Sequence, residues 1–535
     1  MELSRSAHVD TFARGRLPSL DEWPELCFLL DELHYPERLN CATELLDRTV
    51  RERGGDRPCL LSPTLRWSYA ELLETANRIA HVLVDDLGLV AGGRVLLRGP
   101  NEPWLVACWF AVLKAGGIAV PSMPMLRSRE LATILNMADV DLALCHADHI
   151  EDLADCGRDG LRIVAFGRPA AELHDLTAGK GAGFDAVDTA ADDVCLLAFT
   201  SGTTGRPKAT MHFHRDVLAI ADTFSRHLLR PAADDVFTGT PPIAFTFGLG
   251  GLVVFPLRAG ASALLLEKVS PDELFAEVER HRVTVLFTAP TAYRAALPGL
   301  ADRDLSSLRR CVSAGEALPP ATWHAFADLT GIGIIDGIGS TEMLHIFLAA
   351  ADDDIRPGST GRPVPGFLAQ VVDAQGRPVP DGERGLLAVK GPTGCRYLDG
   401  DRQRTYVQSG WNITGDSYVR DADGWFWFQA RADDMIVSSG YNISGPEVEV
   451  ALLRHADVVE CAVVGMPDPE RGMLVTAFVT LRTGVRGDAA LAAELQAFVK
   501  AEIAPYKYPR DVRFVDALPR TSSGKLQRFR LREQA

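Results

Sequence analysis

The chain has 535 residues, 47% of them hydrophobic and 24% charged, and a formal net charge of −16. That length exceeds what one hydrophobic core supports, so at least two domains are expected. The acidic balance excludes a general nucleic-acid or anionic-membrane surface, although a local basic groove for a nucleotide is compatible with it.

The first ten residues, Met1 to Asp10, contain no apolar stretch of the signal-peptide kind, and no run of about eighteen uninterrupted apolar residues occurs further on. Ten cysteines occur singly, without a CxxC or metal-ligand spacing, and read as reduced packing residues of a cytoplasmic protein. Apolar runs at Arg94–Leu97, Val140–Cys145, Val194–Phe199, Ser262–Leu266, Val283–Thr288, Leu308–Val312 and Gly333–Ile335 read as strands. Helical patterns lie between them, at Ala70–Leu87 and Pro271–His281 for example. That alternation predicts an α/β fold with largely parallel sheets. After about Arg356 the texture changes to short strands punctuated by Gly and Pro, which predicts a small β-rich subdomain. From Ile436 a compact α/β unit follows: Gly445-Pro446 opens a helix, strands run at Val458–Val464 and Met473–Leu481, and Asp488–Ile503 is helical. The expected division is 1–432 and 433–535, a large N-terminal domain and a small mobile C-terminal α/β domain hinged near Asp433.

The segment Leu197-Ala-Phe-Thr-Ser-Gly-Thr-Thr-Gly-Arg-Pro-Lys208 carries the most specific chemistry. A strand runs into hydroxyls from Thr200, Ser201, Thr203 and Thr204. Gly202 and Gly205 let backbone N–H groups close on an anion, and Lys208 adds a mobile positive charge. The order differs from the P-loop G-x-x-x-x-G-K-[ST], since the hydroxyls precede the lysine. A second glycine-bearing strand exit, Ser313-Ala-Gly-Glu-Ala-Leu-Pro-Pro320, precedes Asp336-Gly-Ile-Gly-Ser-Thr-Glu342 by about twenty residues. Then come Thr414-Gly-Asp416, Gln429-Ala-Arg-Ala-Asp-Asp434 and, near the end, Pro519-Arg-Thr-Ser-Ser-Gly-Lys-Leu-Gln-Arg528.

In this order these segments resemble the adenylate-forming superfamily of acyl- and aryl-CoA synthetases, non-ribosomal adenylation domains and beetle luciferases. Arg66–Leu72 and Leu113–Pro121 extend the resemblance over nearly the whole chain. It implies that Gly315, Glu316 and Ala317 sandwich an adenine with Gly337, Ile338 and Gly339, and that Asp336 meets the adenine amino group. Ile338 stands where the family often has a stacking tyrosine, and Ala430 where it usually has glycine. By the same resemblance Thr341 contacts phosphate, Glu342 holds Mg²⁺, Asp416 takes the ribose hydroxyls in a bidentate contact, and Arg431 serves ribose or phosphate. Lys525 would bridge the substrate carboxylate and the α-phosphate, stabilising charge that develops in the transition state. No general base is needed, because the attacking carboxylate is already ionised at neutral pH.

Pro241–Gly251 matches the family's aromatic-gate segment, with Phe245 on the gate and Phe247 on the acyl pocket. Together with Gly248 and Gly339 they imply a flat apolar slot for a small aromatic acid. Asp336–Phe347 resembles benzoate- and 2-aminobenzoate-CoA ligases, and the leader Ala7–Pro18 resembles the 2-aminobenzoate branch. His345 then borders the carboxylate end of the slot, or is a satisfied core histidine. Ser438–Glu447 resembles the loop that CoA ligases swing over the site, where Gly440 leaves room for pantetheine. The expected activity is formation of aryl-AMP from ATP and an aromatic carboxylate, best 2-aminobenzoate, followed by transfer to CoA. Benzoate as the acid, or a separate carrier protein as the acceptor, is the alternative. A homodimer is the assembly to test.

Overall fold

Arg94–Arg98 is buried at every position, as only a strand covered on both faces can be. The computed structural model describes residues 3–200, 207–315, 318–431, 435–519 and 528–533, and its first sheet grows around that strand. In spatial order the sheet runs Arg162–Phe166, Leu142–His146, Arg94–Arg98, Ile118–Ser122, Val194–Thr200 and Lys208–Phe213. Every neighbouring pair is parallel except the last, which is a hairpin. A second sheet has six parallel strands at its centre: Ile334–Gly339, Arg310–Ser313, Val285–Thr288, Val236–Gly239, Ser262–Leu265 and Pro58–Leu61. Short antiparallel strands flank it on both sides.

The expected alternation therefore stands, with element ends displaced by a few residues. Ser68 and Glu71 form a reciprocal cap, so the first long helix starts at Tyr69; its α-helical part ends at His81 and the last turn widens into a π-helix, Val82–Asp86. Helix Pro103–Lys114 is buried on all sides and belongs to the core cluster joining residues of both sheets.

After Arg356 the expected β-rich unit appears as an antiparallel sheet of Leu368–Val372, Arg384–Lys390, Trp411–Arg420 and Phe426–Arg431, with Val407–Gln408 on its edge. A fourth sheet starts at Met435. It holds Met435–Ser438, Tyr441–Ser444, Val458–Asp468 and Gly472–Leu481, with Asp511–Phe514 parallel to the last. Helices Gly445–Leu452 and Ala489–Glu502 cover it and share a separate apolar cluster. Asp488 caps the second of these by accepting the N–H groups of Ala490 and Leu491. All ten cysteines are free. Among the described residues no helix is long and apolar enough to cross a membrane.

Candidate active site

The hairpin of the first sheet sets Thr200 in register with Lys208, so both ends of the phosphate-loop motif are fixed by strand pairing. Ser201, Gly202, Thr203 and Thr204 lie outside the described residues. Thr200 and Lys208 both face a cavity of about 1280 Å³. The exits of two parallel strands of the second sheet form the opposite wall. Gly315 follows Arg310–Ser313 with φ +92°, a conformation that glycine adopts without strain. Glu316 and Ala317 lie outside the described residues.

Asp336, Gly337, Ile338 and Gly339 occupy the neighbouring strand and all line the cavity. A Cβ on Gly337 would stand 2.8 Å from the Ile346 side chain, and one on Gly339 2.7 Å from the His345 backbone, so neither position admits a larger residue. Asp336 Oδ1 is enclosed and has no hydrogen-bond partner among the described residues. Its desolvation pushes the carboxyl up to about 7. An orphaned acceptor in this wall fits the amino group of an adenine.

Thr341 and Glu342 follow that strand and are held from behind. Tyr397 donates its hydroxyl proton to Glu342 Oε1 at 2.6 Å, and Glu342 is buried. Burial and the nearby Glu342 charge drive the Tyr397 phenol far above its ordinary pKa, so it stays a donor. His212 Nε2–H donates to the Thr341 carbonyl at 2.8 Å. His212 Nδ1 in turn lies 3.8 Å from Asp216, which forms a fully buried ion pair with Arg396. Burial opposes the Asp216 charge, but Arg396 and His212 outweigh it and keep that carboxylate below its usual pKa. The segment around Arg396 and Tyr397 pairs with the strand carrying Lys208: Met211 N–H bonds Arg396 C=O, and Leu398 N–H bonds Ala209 C=O. Alternation along an extended chain thus sends Arg396 to Asp216 and Tyr397 to Glu342.

Leu344 has φ +69°, rare for a branched side chain, and this turn lets Glu342 and His345 reach different parts of the cavity. His345 is 3% exposed, and neither ring nitrogen has a hydrogen-bond partner among the described residues. Phe255, Phe224, Phe247 and Phe287 surround its ring at centroid distances of 4.6, 5.4, 5.7 and 6.4 Å. Desolvation lowers the imidazole to about 3, so it is neutral. It is a core histidine, but not a satisfied one. Gly250 makes room for it, since a Cβ there would stand 2.4 Å from His345 Cδ2.

Phe245 and Phe247 line the same cavity. Gly248 is buried with its Cα against the Pro242 carbonyl, where a Cβ would stand 2.1 Å from the oxygen; it closes a turn behind the wall. Asn101 holds that turn, donating to Pro241 C=O at 3.0 Å and accepting from Ile243 N–H at 2.8 Å.

Asp416, 7% exposed, brings the third sheet to the cavity and pairs in register with Arg431. Gly440, with φ +80°, reaches the cavity from the fourth sheet, and its backbone lies against Gly315. Asp433 and Lys525 lie outside the described residues.

One family explains this set. Residues 46–397 match the AMP-binding enzyme family, and 447–525 match the AMP-binding enzyme C-terminal domain. The chain belongs to the AMP-binding enzyme family. Membership, together with relatives named as CoA ligases, supports an ATP-dependent acid–CoA ligase. It is 34% identical to a benzoate–CoA ligase of Thauera aromatica over 510 residues, covering 93% of this chain and 96% of that one. The solved anthranilate CoA ligase AuaEII, in complex with anthranoyl-AMP, is 34% identical; the match covers 95% of this chain and 99% of that one at a TM-score of 0.73. The amide bond synthetase McbA of Marinactinospora thermotolerans has a TM-score of 0.84 at 27% identity, over 93% and 99% of the two chains.

Within this AMP-binding enzyme, motif reading missed Tyr397, His212, Asp216, Arg396 and Asn101. None sits in a recognisable string, and their role comes from contacts between residues as much as 185 positions apart. Nor did spacing reveal that Cys41, Cys195 and His214 meet in the core, with their ligand atoms within 4.8 Å of one another.

Proposed function

We propose that this AMP-binding enzyme is an aryl-CoA ligase acting on benzoate-type acids, with 2-aminobenzoate as its preferred substrate. The observation that carries the reading is continuity: the aromatic pocket of Phe245, Phe247 and His345 opens into the cavity that holds Asp336, Thr341, Glu342 and Asp416. An acid bound in the pocket has its carboxylate directed toward the nucleotide side. The relatives named for benzoate and for anthranilate support the acid class.

In the first half-reaction a carboxylate oxygen bonds to the α-phosphorus of ATP as the bond to the β-phosphate bridge breaks and pyrophosphate leaves. Asp336, with Gly337, Ile338 and Gly339, receives the adenine beside Gly315, Glu316 and Ala317. Asp416 and Arg431 hold the ribose. Thr200, Ser201, Gly202, Thr203, Thr204, Lys208 and Thr341 hold the phosphates, and Lys525 neutralises charge at the reacting centre. Glu342 would hold Mg²⁺, which supplies Lewis-acid stabilisation of the phosphates when bound. In the second half-reaction the CoA thiol gives up its proton to solvent, its sulfur bonds to the acyl carbon as the bond from that carbon to the AMP oxygen breaks, and AMP leaves, with Gly440 leaving space for the pantetheine arm.

The neutral His345, with both nitrogens free of partners among the described residues, supports a polar ring substituent in an otherwise apolar slot. The two-domain division at 1–432 and 433–535, hinged at Asp433, is part of the reading, as are a cytoplasmic location and a homodimer. The free cysteines support the location, and sedimentation tests the dimer. The deciding experiment is ATP–pyrophosphate exchange with benzoate, 2-aminobenzoate, salicylate and 4-hydroxybenzoate, followed by product analysis with CoA, a holo-carrier protein or an amine. Exchange with 2-aminobenzoate and benzoate, and a CoA thioester, is expected. A preference for palmitate or acetate overturns the pocket, and an amide or carrier-bound product overturns the acceptor.

A further inference from the structure

The fourth sheet meets the N-terminal part of the chain at a buried charge cluster that lines the same cavity. Lys507, 4% exposed, lies with Nζ 2.5 Å from Glu130 Oε1 and 2.7 Å from Glu447 Oε1. The Ala504 N–H donates to Glu130 Oε2 at 2.8 Å. Tyr506, beside Lys507, stacks on Tyr441 at 4.3 Å between centroids, and Tyr441 meets Phe245 edge-on at 6.5 Å. The same strand pair turns at Gly440, whose carbonyl lies 3.4 Å from the position of a Cβ on Gly315. The strand pair thus touches the nucleotide wall and the aryl gate, and reaches the ion cluster through Tyr506 and through the helix Gly445–Leu452 that carries Glu447.

Each side of the cluster keeps a partner of its own. Lys507 and Glu447 both belong to the C-terminal unit and stay paired if that unit turns. Glu130 belongs to helix Ser128–Ala138, where it accepts the Arg127 N–H at 3.0 Å and caps the first turn. Separation therefore strands neither charge, as it would in a buried pair with no second partner. The contact is strong when closed and can still open.

We propose that Glu130 and Lys507 are positioning residues for thiol transfer: their ion pair latches the C-terminal unit in the orientation that sets Gly440 on Gly315 and Tyr441 on Phe245. The inference rests on the two-step reading above and adds that the C-terminal unit, hinged at Asp433, takes a different orientation for adenylation, the step that uses Lys525. Loss of the latch then slows thioester formation and spares adenylation.

The test uses full-length protein carrying Glu130→Gln, which retains a helix-capping oxygen, and Lys507→Gln. Pyrophosphate exchange with benzoate is expected within about twofold of wild type, while thioester formation from supplied benzoyl-AMP and CoA falls at least about tenfold. The double variant falls no further than the worse single one, because both remove the same contact. Equal loss in both half-reactions, or no loss in either, overturns the latch. Distances between spin labels at exposed Leu329 and Val459 give a readout independent of activity, and the variants should broaden them. An unchanged distribution also overturns the latch. Wild-type protein without exchange for any aryl acid overturns the aryl-ligase reading instead, and the labels distinguish the two failures.

Discussion

Replacing Tyr397 by phenylalanine removes one hydroxyl from a buried wall and nothing else. The lost interaction is the 2.6 Å hydrogen bond to Glu342 Oε1, a contact to a carboxylate that is 9% exposed. Hydrogen bonds to charged groups contribute about 1.5–3 kcal/mol, more than neutral ones. At about 1.4 kcal/mol per decade that is roughly a 10–150-fold effect, and partners that orient metal-binding carboxylates show a similar loss, about 10–100-fold. The ring remains to pack beside Tyr406, so the wall should not collapse. Because the hydroxyl bonds Glu342, the residue proposed to hold Mg²⁺, the defect should appear as a Mg²⁺ requirement. Pyrophosphate exchange with an aryl acid, titrated with Mg²⁺, should show a midpoint raised about 10–100-fold and a rate largely restored at saturation. Tyr406→Phe, which loses only a 3.4 Å contact to Ser340, should shift the midpoint far less. A Tyr397→Phe curve superimposable on wild type would refute the reasoning.

Three further outcomes are expected. Lys525→Ala should abolish most aryl-AMP formation while sparing CoA attack on a supplied aryl-adenylate; undiminished pyrophosphate exchange would remove the lysine from the first step. Gly440→Leu places a side chain on a backbone at φ +80° against Gly315, so it should block thioester formation and leave adenylation near normal; a matching fall in both steps would make the loop structural. The third concerns pH. Burial holds His345 at about 3, below its unfolded value of 6.5, so the unfolded chain binds the extra proton first as pH falls. The stabilisation from this group is thus present above pH 6.5 and is lost down to about pH 3, on the order of 5 kcal/mol in all. His345→Phe should flatten that part of the pH–stability curve measured by urea unfolding, and an unchanged slope would show that His345 is not the group responsible.

The amino-acid sequence by itself determined what local chemistry can express. Apolar runs flanked by glycine and proline marked the parallel strands, because a strand buried on both faces must be apolar along its length. The hydroxyl- and glycine-rich phosphate loop, Asp336 to Glu342, and Thr414 to Asp416 were legible because each site needs particular residue types at fixed spacing along one strand exit. Element ends were legible only to within a few residues: Leu308–Val312 became Arg310–Ser313, since hydrogen bonding to neighbouring strands sets where pairing starts. Only the tertiary structure decided what stands behind those motifs. Arg396 and Tyr397 look like an ordinary polar pair after a glycine, and become an ion-pair anchor and a carboxylate clamp because the segment pairs with the strand of Lys208. His345 could be read as pocket or core, and the four phenylalanines that strip it of water and partners come from helices and strands up to 121 positions away. Glu130 and Lys507 carry no motif at all; they meet across 377 residues. Burial, desolvation and long-range pairing are properties of the folded surface, and no spacing along the chain encodes them.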